Sequence, residues 1–404
     1  MARHVVCAVS GGVDSSVAAL LLKQRGYRVT GLFVRSWDNA EEGIGCPVES
    51  DSEAAIKTCQ VLNLPLRQVD FVKDYWHNVF SPLLSQYEQG LTPNPDVLCN
   101  KHVKFERLLS FALGPLHADA LATGHYARTS ATDESILDQR HDAAKVDDPF
   151  HDVEHNAKNP AVVRLLKAVD PQKDQTLFLS QISQCALQYT MFPVGGLFKP
   201  EVRKLAASAG LQHTLHRKES AGICFIGKRK FGDFLLEYLD PRPGNFVCVE
   251  EGRKIGTHNG HFLFTIGQRA KIGVGSQAWF VVNKNPHTGD VFVAPGTMHP
   301  ALLRESFGTR QVHWISGKMP EDLVSATEME CEFRFRHQMP LAPCTLKLLA
   351  DDAVWVRATK PARAITPGQF AVFYKGEECL GSGLISQLGP SLFESRQTQQ
   401  TEQI

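Results

Sequence analysis

Apolar and polar positions divide the chain into two regimes. Up to about residue 215, short valine-rich runs alternate with stretches whose apolar residues return every third or fourth position. Val5, Val6 and Val9 mark a first buried strand, broken at Ser10-Gly11-Gly12. A helix carrying Val17, Leu20 and Leu21 begins at once and stops near Gly26. The pattern then predicts a strand over Arg28–Arg35, a helix over Ser52–Asn63 with Asp51 as N-cap, and a strand over Leu66–Val72. It continues with a helix over Asp74–Gln89 that Pro82 must kink or shorten, and a helix over His102–Leu113. A short strand over Ala118–Ala122 ends in Thr123-Gly124-His125-Tyr126, and Pro200–Ala209 is a helix stopped by Gly210. Beyond Pro241-Arg242-Pro243-Gly244 the helical period vanishes. Short alternating runs take over, among them Trp279–Val282, Val291–Ala294, Cys331–Phe335, Val354–Ala358 and Phe370–Tyr374.

Strands alternating with helices imply an α/β N-terminal domain with an open parallel sheet, over residues 1–215. A small mostly-β central domain over 216–300 and a C-terminal β-barrel over 301–390 should follow. The Gln/Ser/Thr-rich residues 391–404 read as a disordered tail. Residues 129–159 are acidic, His-rich and poor in apolar side chains, which suits a solvated, mobile insertion. Its Asp142, Asp147, Asp148, His151, Asp152, Glu154 and His155 have no helical or hairpin spacing, so no metal site is assigned.

Composition narrows this little. The 404 residues exceed what one core usually serves, and 43% hydrophobic with 21% charged content describes an ordinary globular protein. With 43 basic and 43 acidic residues, any nucleic-acid partner must be held by local basic patches. No apolar run has the length of a membrane helix. Ten cysteines scattered singly, with no CxxC pair, argue for a reducing compartment rather than a disulfide framework or zinc site.

Three loops carry candidate chemistry. Ser10-Gly11-Gly12-Val13-Asp14-Ser15 joins a strand to a helix N-terminus, whose unpaired N–H groups and dipole suit a phosphate or pyrophosphate. Ser10 and Ser15 can add hydroxyl donors, and Asp14 can orient a Mg²⁺ or a backbone amide. The loop lacks the GK[ST] ending of a Walker A motif. In an open parallel sheet it would converge with Ser36-Trp37-Asp38 and Thr123-Gly124-His125-Tyr126 at the strands' carboxyl ends. The second loop, Asn94–Asn100, holds Cys99 near helix amides, Lys101 and Lys104, with Asp96 as a candidate general acid/base. The third holds Cys224 between glycines amid Arg217, Lys218, Lys228, Arg229 and Lys230. Its GxxxxGK spacing has Arg229 where a Ser/Thr belongs, which excludes a second nucleotide loop.

SGGVDS resembles the PP-loop of ATP pyrophosphatases, which adenylate a substrate and release pyrophosphate. With TPNPDVLCN (92–100), ATGHYAR (122–128), KDQTLFLS (173–180), GICFIG (222–227), TIGQR (265–269) and PGQFAVFY (367–374), the chain resembles the tRNA-specific 2-thiouridylases almost throughout. The resemblance implies an adenine nucleotide α-hydrolase-like first domain and thiolation of the wobble uridine in a tRNA anticodon arm. By it, Cys99 is the nucleophile and Cys224 the persulfide carrier. Ala8, Val9, Ser10, Gly11, Gly12, Val13, Asp14, Ser15, Val34 and Gly124 line ATP, taken with Mg²⁺ as co-substrate. Asn94, Pro95 and Asp96 face the target base, while His125, Lys173, Asp174, Gln175, Arg334, Phe335 and Gln369 contact the tRNA.

The chemistry is consistent with that assignment. Uracil O2 is a poor leaving group until adenylated, and sulfur must then arrive as a nucleophile from a persulfide. Either direct attack or hydrosulfide release can leave a Cys99–Cys224 disulfide. The implied partners are tRNA, a persulfide donor protein and a thiol reductant, with no membrane, around a monomer. Val34-Arg35-Ser36-Trp37 replaces the family's usual Met-Lys-Asn-Trp, and Phe335 stands where bacterial members have tyrosine. The long insertion resembles the mitochondrial branch, which implies a mitochondrial rather than cytoplasmic protein. Two alternatives stay open on the residues alone: a PP-loop synthetase adenylating a small carbonyl substrate, and a non-catalytic tRNA-binding protein.

Overall fold

Valine-rich strands and amphipathic helices alternate from the first residues of the computed structural model, which describes residues 3–37, 47–142, 162–217, 229–273 and 277–402. Strand β1 (His4–Ala8) leads through helix α1 (Val13–Gln24) to β2 (Arg28–Arg35), then α2 (Pro47–Val61) and β3 (Leu66–Asp70). Helices α3 (residues 72–88) and α4 (residues 95–113) precede β4 (Ala120–Ala122). The short β5 (Arg128–Thr129), helix α5 (Asp133–Asp142), β6 (Leu165–Leu166), β7 (Thr190–Met191) and helix α6 (Lys199–Ser208) complete this part.

The first sheet has the order β3-β2-β1-β4-β7, with every pairing parallel. Val5, Val6 and Cys7 in its central strand have no exposed surface, which is why β1 reads as an unbroken apolar run. Burying each valine is worth about 1.5–3 kcal/mol. The chain winds outward from β1 to β2 and β3, then returns to the other side of β1 as β4. The switch point therefore lies between β1 and β4, beside the Ser10–Ser15 turn.

Both long helices contain π-helical turns. In α3 the turn Trp76–Phe80 sits just before Pro82, so the proline is absorbed without ending the helix. In α4 the π stretch runs from Cys99 to Leu108, and the helix starts at Pro95 with Asn94 as N-cap. The polar loop expected over 94–100 is thus mostly helix, because Pro95 sits where its missing N–H costs nothing. Asp51 is not an N-cap either: α2 starts at Pro47, and Asp51 pairs with Arg217 from within it.

Strands β8 (Gly244–Cys248), β9 (Lys254–His258), β10 (Arg269–Ala270), β11 (Trp279–Lys284) and β12 (Val291–Pro295) form a second sheet with its own small core. Then β13 (Leu303–Trp314), β14 (Glu328–Arg334), β15 (Ala342–Leu348), β16 (Val354–Arg363), β17 (Phe370–Lys375) and β18 (Glu378–Leu388) close into a six-stranded barrel through β13–β18 pairing. Where β13 runs out, β6 pairs with the start of β18 and β5 with β6, so the N-terminal domain extends the barrel sheet.

Two expectations fail here. Residues 392–402 form helix α7 (Leu392–Glu402) instead of a disordered tail. Ser391 and Glu394 make reciprocal bonds at its start, the Ser391 N–H donating to Glu394 at 2.6 Å and the Glu394 N–H to the Ser391 hydroxyl at 3.2 Å. The insertion expected over 129–159 opens with strand β5 and helix α5, held by the buried Ile136 and Leu137. The remainder of that stretch, residues 143–159, lies outside the described residues.

Candidate active site

The Ser10–Ser15 turn is held rigidly open. Gly11 adopts φ +80°, and a Cβ there would meet the Asp51 carbonyl oxygen at 2.5 Å. Ser15 is buried and accepts from the Ser10 N–H and hydroxyl, both at 3.1 Å, while donating to the Gly12 carbonyl at 3.0 Å. Gly12, in extended conformation, stands at the N-cap of α1, and among the described residues no side chain caps that helix. Its first-turn N–H groups are left for an anionic ligand, with the exposed Ser10 at the lip. Ala8 and Val34, at the ends of β1 and β2, are half-buried; Val9 and Val13 are buried beneath the turn.

Asp14 has a structural partner that the sequence does not announce. Lys199, at the first turn of α6, places its Nζ 2.9 Å from both Asp14 oxygens, and the Tyr126 hydroxyl donates to Oδ1 at 2.8 Å. Asp14 therefore ties α1 to α6 and to the 123–126 loop. Trp37 also departs from expectation: it is buried and stacked on Trp76 at 5.7 Å, so it belongs to the core and not to a nucleotide pocket. Asp38 lies outside the described residues.

The 123–126 loop joins two halves of the site. Gly124 packs so closely on α1 that a Cβ would fall 2.5 Å from the Ser15 nitrogen. The next residue, His125, faces the other way. Its Nδ1 lies 2.8 Å from the Thr123 hydroxyl and its Nε2 3.5 Å from Lys104 Nζ, on the helix that carries Asp96 and Cys99. An ammonium only donates, so Nε2 accepts and the ring proton sits on Nδ1. Burial, reinforced by the Lys104 charge, pushes the His125 imidazole well below its ordinary range and keeps it neutral at pH 7.

Asp96 lies in the first turn of α4, and Cys99, half-buried, follows three residues later. Burial raises the Asp96 carboxyl, while the charges of Lys104 and His337 pull it down. At an α-helical pitch Lys104 would point roughly 140° away from Cys99. The π stretch, whose bonds span five residues, turns it back toward that face.

The barrel supports this arrangement from behind. Gln369 Nε2 donates to the Thr92 carbonyl at 2.7 Å and the Pro93 carbonyl at 3.3 Å, and its Oε1 lies 3.4 Å from Asn94 Nδ2. Asp174 is 2% exposed and accepts from Arg334, from the Thr176 hydroxyl at 2.8 Å and from the Ala168 N–H at 3.0 Å. Gln175 exchanges two bonds with Tyr126, its N–H donating to the carbonyl at 2.9 Å and its Oε1 accepting from the N–H at 3.0 Å. Asp174, Arg334 and Gln369, expected to contact tRNA, thus spend their side chains on the junction between the N-terminal domain and the barrel, and Gln175 spends its own on the 123–126 loop. Lys173, in the same run, is partly exposed. Phe335 is fully buried in the barrel interior with Phe333, so its ring cannot stack on a base in this conformation. His337 lies beside Asp96 and contacts the Asp174 carbonyl through Nε2 at 3.1 Å. Pro95, the first residue of α4, is buried. Cys224 and residues 218–228 around it lie outside the described residues, and Arg217 and Arg229 at their ends pair with Asp51 and Glu237.

A parallel sheet with an uncapped helix N-terminus at its switch point has the layout of a nucleotide-binding α/β domain, here joined to a small β domain and a barrel. Residues 3–228 match the tRNA methyl transferase HUP domain, 232–295 the tRNA methyl transferase PRC-barrel domain, and 304–385 the aminomethyltransferase beta-barrel domain. The mitochondrial tRNA-specific 2-thiouridylase 1 of Gallus gallus is 54% identical, covering 99% of this chain and 96% of that protein. Its counterpart in Homo sapiens is 55% identical over 97% and 92%, and that of Drosophila melanogaster 42% over 100% and 98%. The chain belongs to the tRNA-specific 2-thiouridylase family.

Proposed function

We propose that this tRNA-specific 2-thiouridylase adenylates the C2 oxygen of a wobble uridine at the Ser10–Ser15 turn and replaces it with sulfur at Cys99. The observation that carries the reading is the 123–126 loop. It touches the Ser10–Ser15 turn through Gly124 and the Asp96–Cys99 helix through His125, and these contacts support activation and substitution on either side of one short segment.

The nucleotide half rests on the PP-loop and HUP-domain family, which implies use of ATP. Ser10 and the first N–H groups of α1 would hold the departing pyrophosphate. Mg²⁺ would enter with the nucleotide and screen its phosphates. Asp14, engaged by Lys199 and Tyr126, does not fit a ligand role for it.

In the substitution half, Asp96 moves a proton at the uracil ring with the base extruded beside Asn94 and Pro95. Cys224 brings the sulfur as a persulfide: either its outer sulfur attacks C2 or Cys99 attacks its inner sulfur and releases hydrosulfide to do so, AMP leaves carrying the former O2, and a Cys99–Cys224 disulfide remains for a cellular thiol to open. Lys173 and the basic run around Cys224 supply phosphate contacts to the anticodon arm. The relatives' names place those proteins in mitochondria, and the same compartment is proposed here.

Incubation of tRNA with the protein, ATP, Mg²⁺ and a persulfide donor, followed by mass spectrometry of the nucleosides, tests the reading. Oxygen-to-sulfur exchange in uridine is expected, with pyrophosphate released only when tRNA is present. A Cys99→Ser, Cys224→Ser double variant that still forms full product overturns the cysteine roles. Pyrophosphate release without tRNA, on a small carbonyl acceptor, overturns the tRNA assignment.

A further inference from the structure

The barrel holds a second pair of sulfurs, remote in sequence from the two cysteines of the thiolation chemistry. Cys331 on β14 and Cys344 on β15 are directly opposite each other in the antiparallel register. Their Sγ atoms lie 3.6 Å apart. Residues opposed in this way have Cα atoms about 4.5–5.5 Å apart, inside the window of about 4.4–6.8 Å that a disulfide spans. Closing the pair needs only side-chain rotation to bring the sulfurs to about 2.05 Å. Cys344 is 3% exposed, whereas Cys331 is partly open to solvent near Lys375.

We propose that Cys331 and Cys344 form a reversible oxidation site, with a hydroperoxide as the oxidant and a cross-strand disulfide as the product. The exposures assign the order of events. The Cys331 thiolate attacks the peroxide O–O bond, gaining one oxygen as sulfenic acid while the peroxide leaves as an alcohol or water after taking up a proton. The Cys344 thiol then displaces that oxygen as water, forming the S–S bond. Two thiols lose two electrons and two protons, and the hydroperoxide takes up both. Hydrogen bonding to Cys331, then burial, pushes the Cys344 thiol far up, which suits the buried Cys344 to the resolving role and leaves first attack to the more accessible Cys331. The bond would staple β14, which ends at Arg334, to β15, and so stiffen the strand that anchors the barrel to the N-terminal domain.

The test uses the full chain carrying Cys224→Ser, so that the proposed Cys99–Cys224 disulfide cannot form. After treatment with hydrogen peroxide, intact mass should fall by two hydrogens. Tryptic mapping should join peptide 319–334 to peptide 337–347, and a thiol reductant should restore both. Alkylation of Cys331 and Cys344 should drop at least fivefold together, and the thermal midpoint should rise by a few degrees. Adding Cys344→Ser should instead leave a dimedone-reactive sulfenic acid on Cys331 and no shift in midpoint. A second variant, Cys331→Ser alone in the otherwise native chain, should keep its thiolation activity, showing that the barrel still folds. The proposal is overturned if both cysteines stay fully alkylatable after oxidation, or if Cys331 goes on to sulfinic acid without linking to Cys344.

Discussion

Arg334 of the barrel and Asp174 of the N-terminal domain form an ion pair whose side chains are only 7% and 3% exposed. The Tyr374 hydroxyl accepts from Arg334 Nε at 3.0 Å and lies 3.1 Å from the Thr176 hydroxyl, so the network is satisfied on both sides. Removing one charge strands the other away from water, at a cost of roughly 3–5 kcal/mol. Arg334→Met should therefore lower the denaturation midpoint sharply. Asp174→Asn should do the same, and the double variant should recover part of the loss. If Arg334 instead served mainly as a phosphate contact, the variant would keep its stability and lose one unit of salt dependence in tRNA binding. Denaturant titration beside a salt series separates the two.

Gly124 is a tighter constraint than its exposure suggests. A methyl group there meets backbone nitrogen at 2.5 Å, and backbone of a helix first turn cannot step aside as a flexible side chain can. Gly124→Ala should displace the N-terminus of α1 at a cost of about 1–3 kcal/mol. Because that N-terminus is the proposed pyrophosphate cradle, ATP affinity should fall at least tenfold while tRNA binding holds. Equilibrium ATP binding and tRNA gel shifts would check both halves, and an unchanged ATP affinity would remove the turn from the nucleotide site.

How much of this was legible beforehand varies with the range of the interaction. The alternation of strands and helices, the placement of Ser10–Ser15 at a strand's carboxyl end and three of the barrel strands, β14, β16 and β17, follow from local periodicity. The domain junction does not. Asp174 and Arg334 lie 160 residues apart, and nothing in KDQ or in the barrel strand distinguishes an interface clamp from an exposed RNA contact. For Phe335, strand alternation sets it on the face opposite Arg334. It could not say which face was interior, and the barrel takes Phe333 and Phe335 inward. Helix α7 is a different kind of miss, because Ser391-Leu392-Phe393-Glu394 is an S-x-x-E capping box, and the polar composition beyond it hid the signal.

That capping box makes a prediction of its own. Glu394 is partly buried, which raises its carboxyl, yet bonds from Ser391 and the Arg304 charge outweigh burial and hold it below its ordinary value of 4.5. A carboxyl depressed on folding stabilises above its unfolded pKa, and that contribution disappears as pH falls through the folded value. Ser391→Ala should cost about 1 kcal/mol at pH 7. The difference in melting temperature between the native chain and Glu394→Gln should be full at pH 7 and shrink below pH 4.5. A difference that does not change with pH would mean that the carboxylate charge contributes nothing to the helix.

Lys104 offers the sharpest reading of the active site, because it acts on two titrating groups at once. Its charge favours ionised Asp96 against the burial that raises that carboxyl, and it adds to the burial that keeps His125 neutral. Removing the charge lets both pKa values rise. If Asp96 must be ionised to accept a proton from the uracil ring, the acid limb of kcat/KM must move to higher pH in Lys104→Gln, with at least a tenfold loss at neutral pH. Lys104→Arg keeps the charge on the same turn and should leave the limb in place, even if the rate falls because the longer head misfits His125. His337 supplies the remaining cationic influence on Asp96, so His337→Gln should shift the limb in the same direction at pH values where His337 is protonated. Its imidazole is itself lowered by burial, which confines that contribution to the acidic side. A Lys104→Gln profile that loses rate uniformly, with its limb unmoved, would mean that Lys104 only holds the 123–126 loop against α4 and that Asp96 is not the group that titrates.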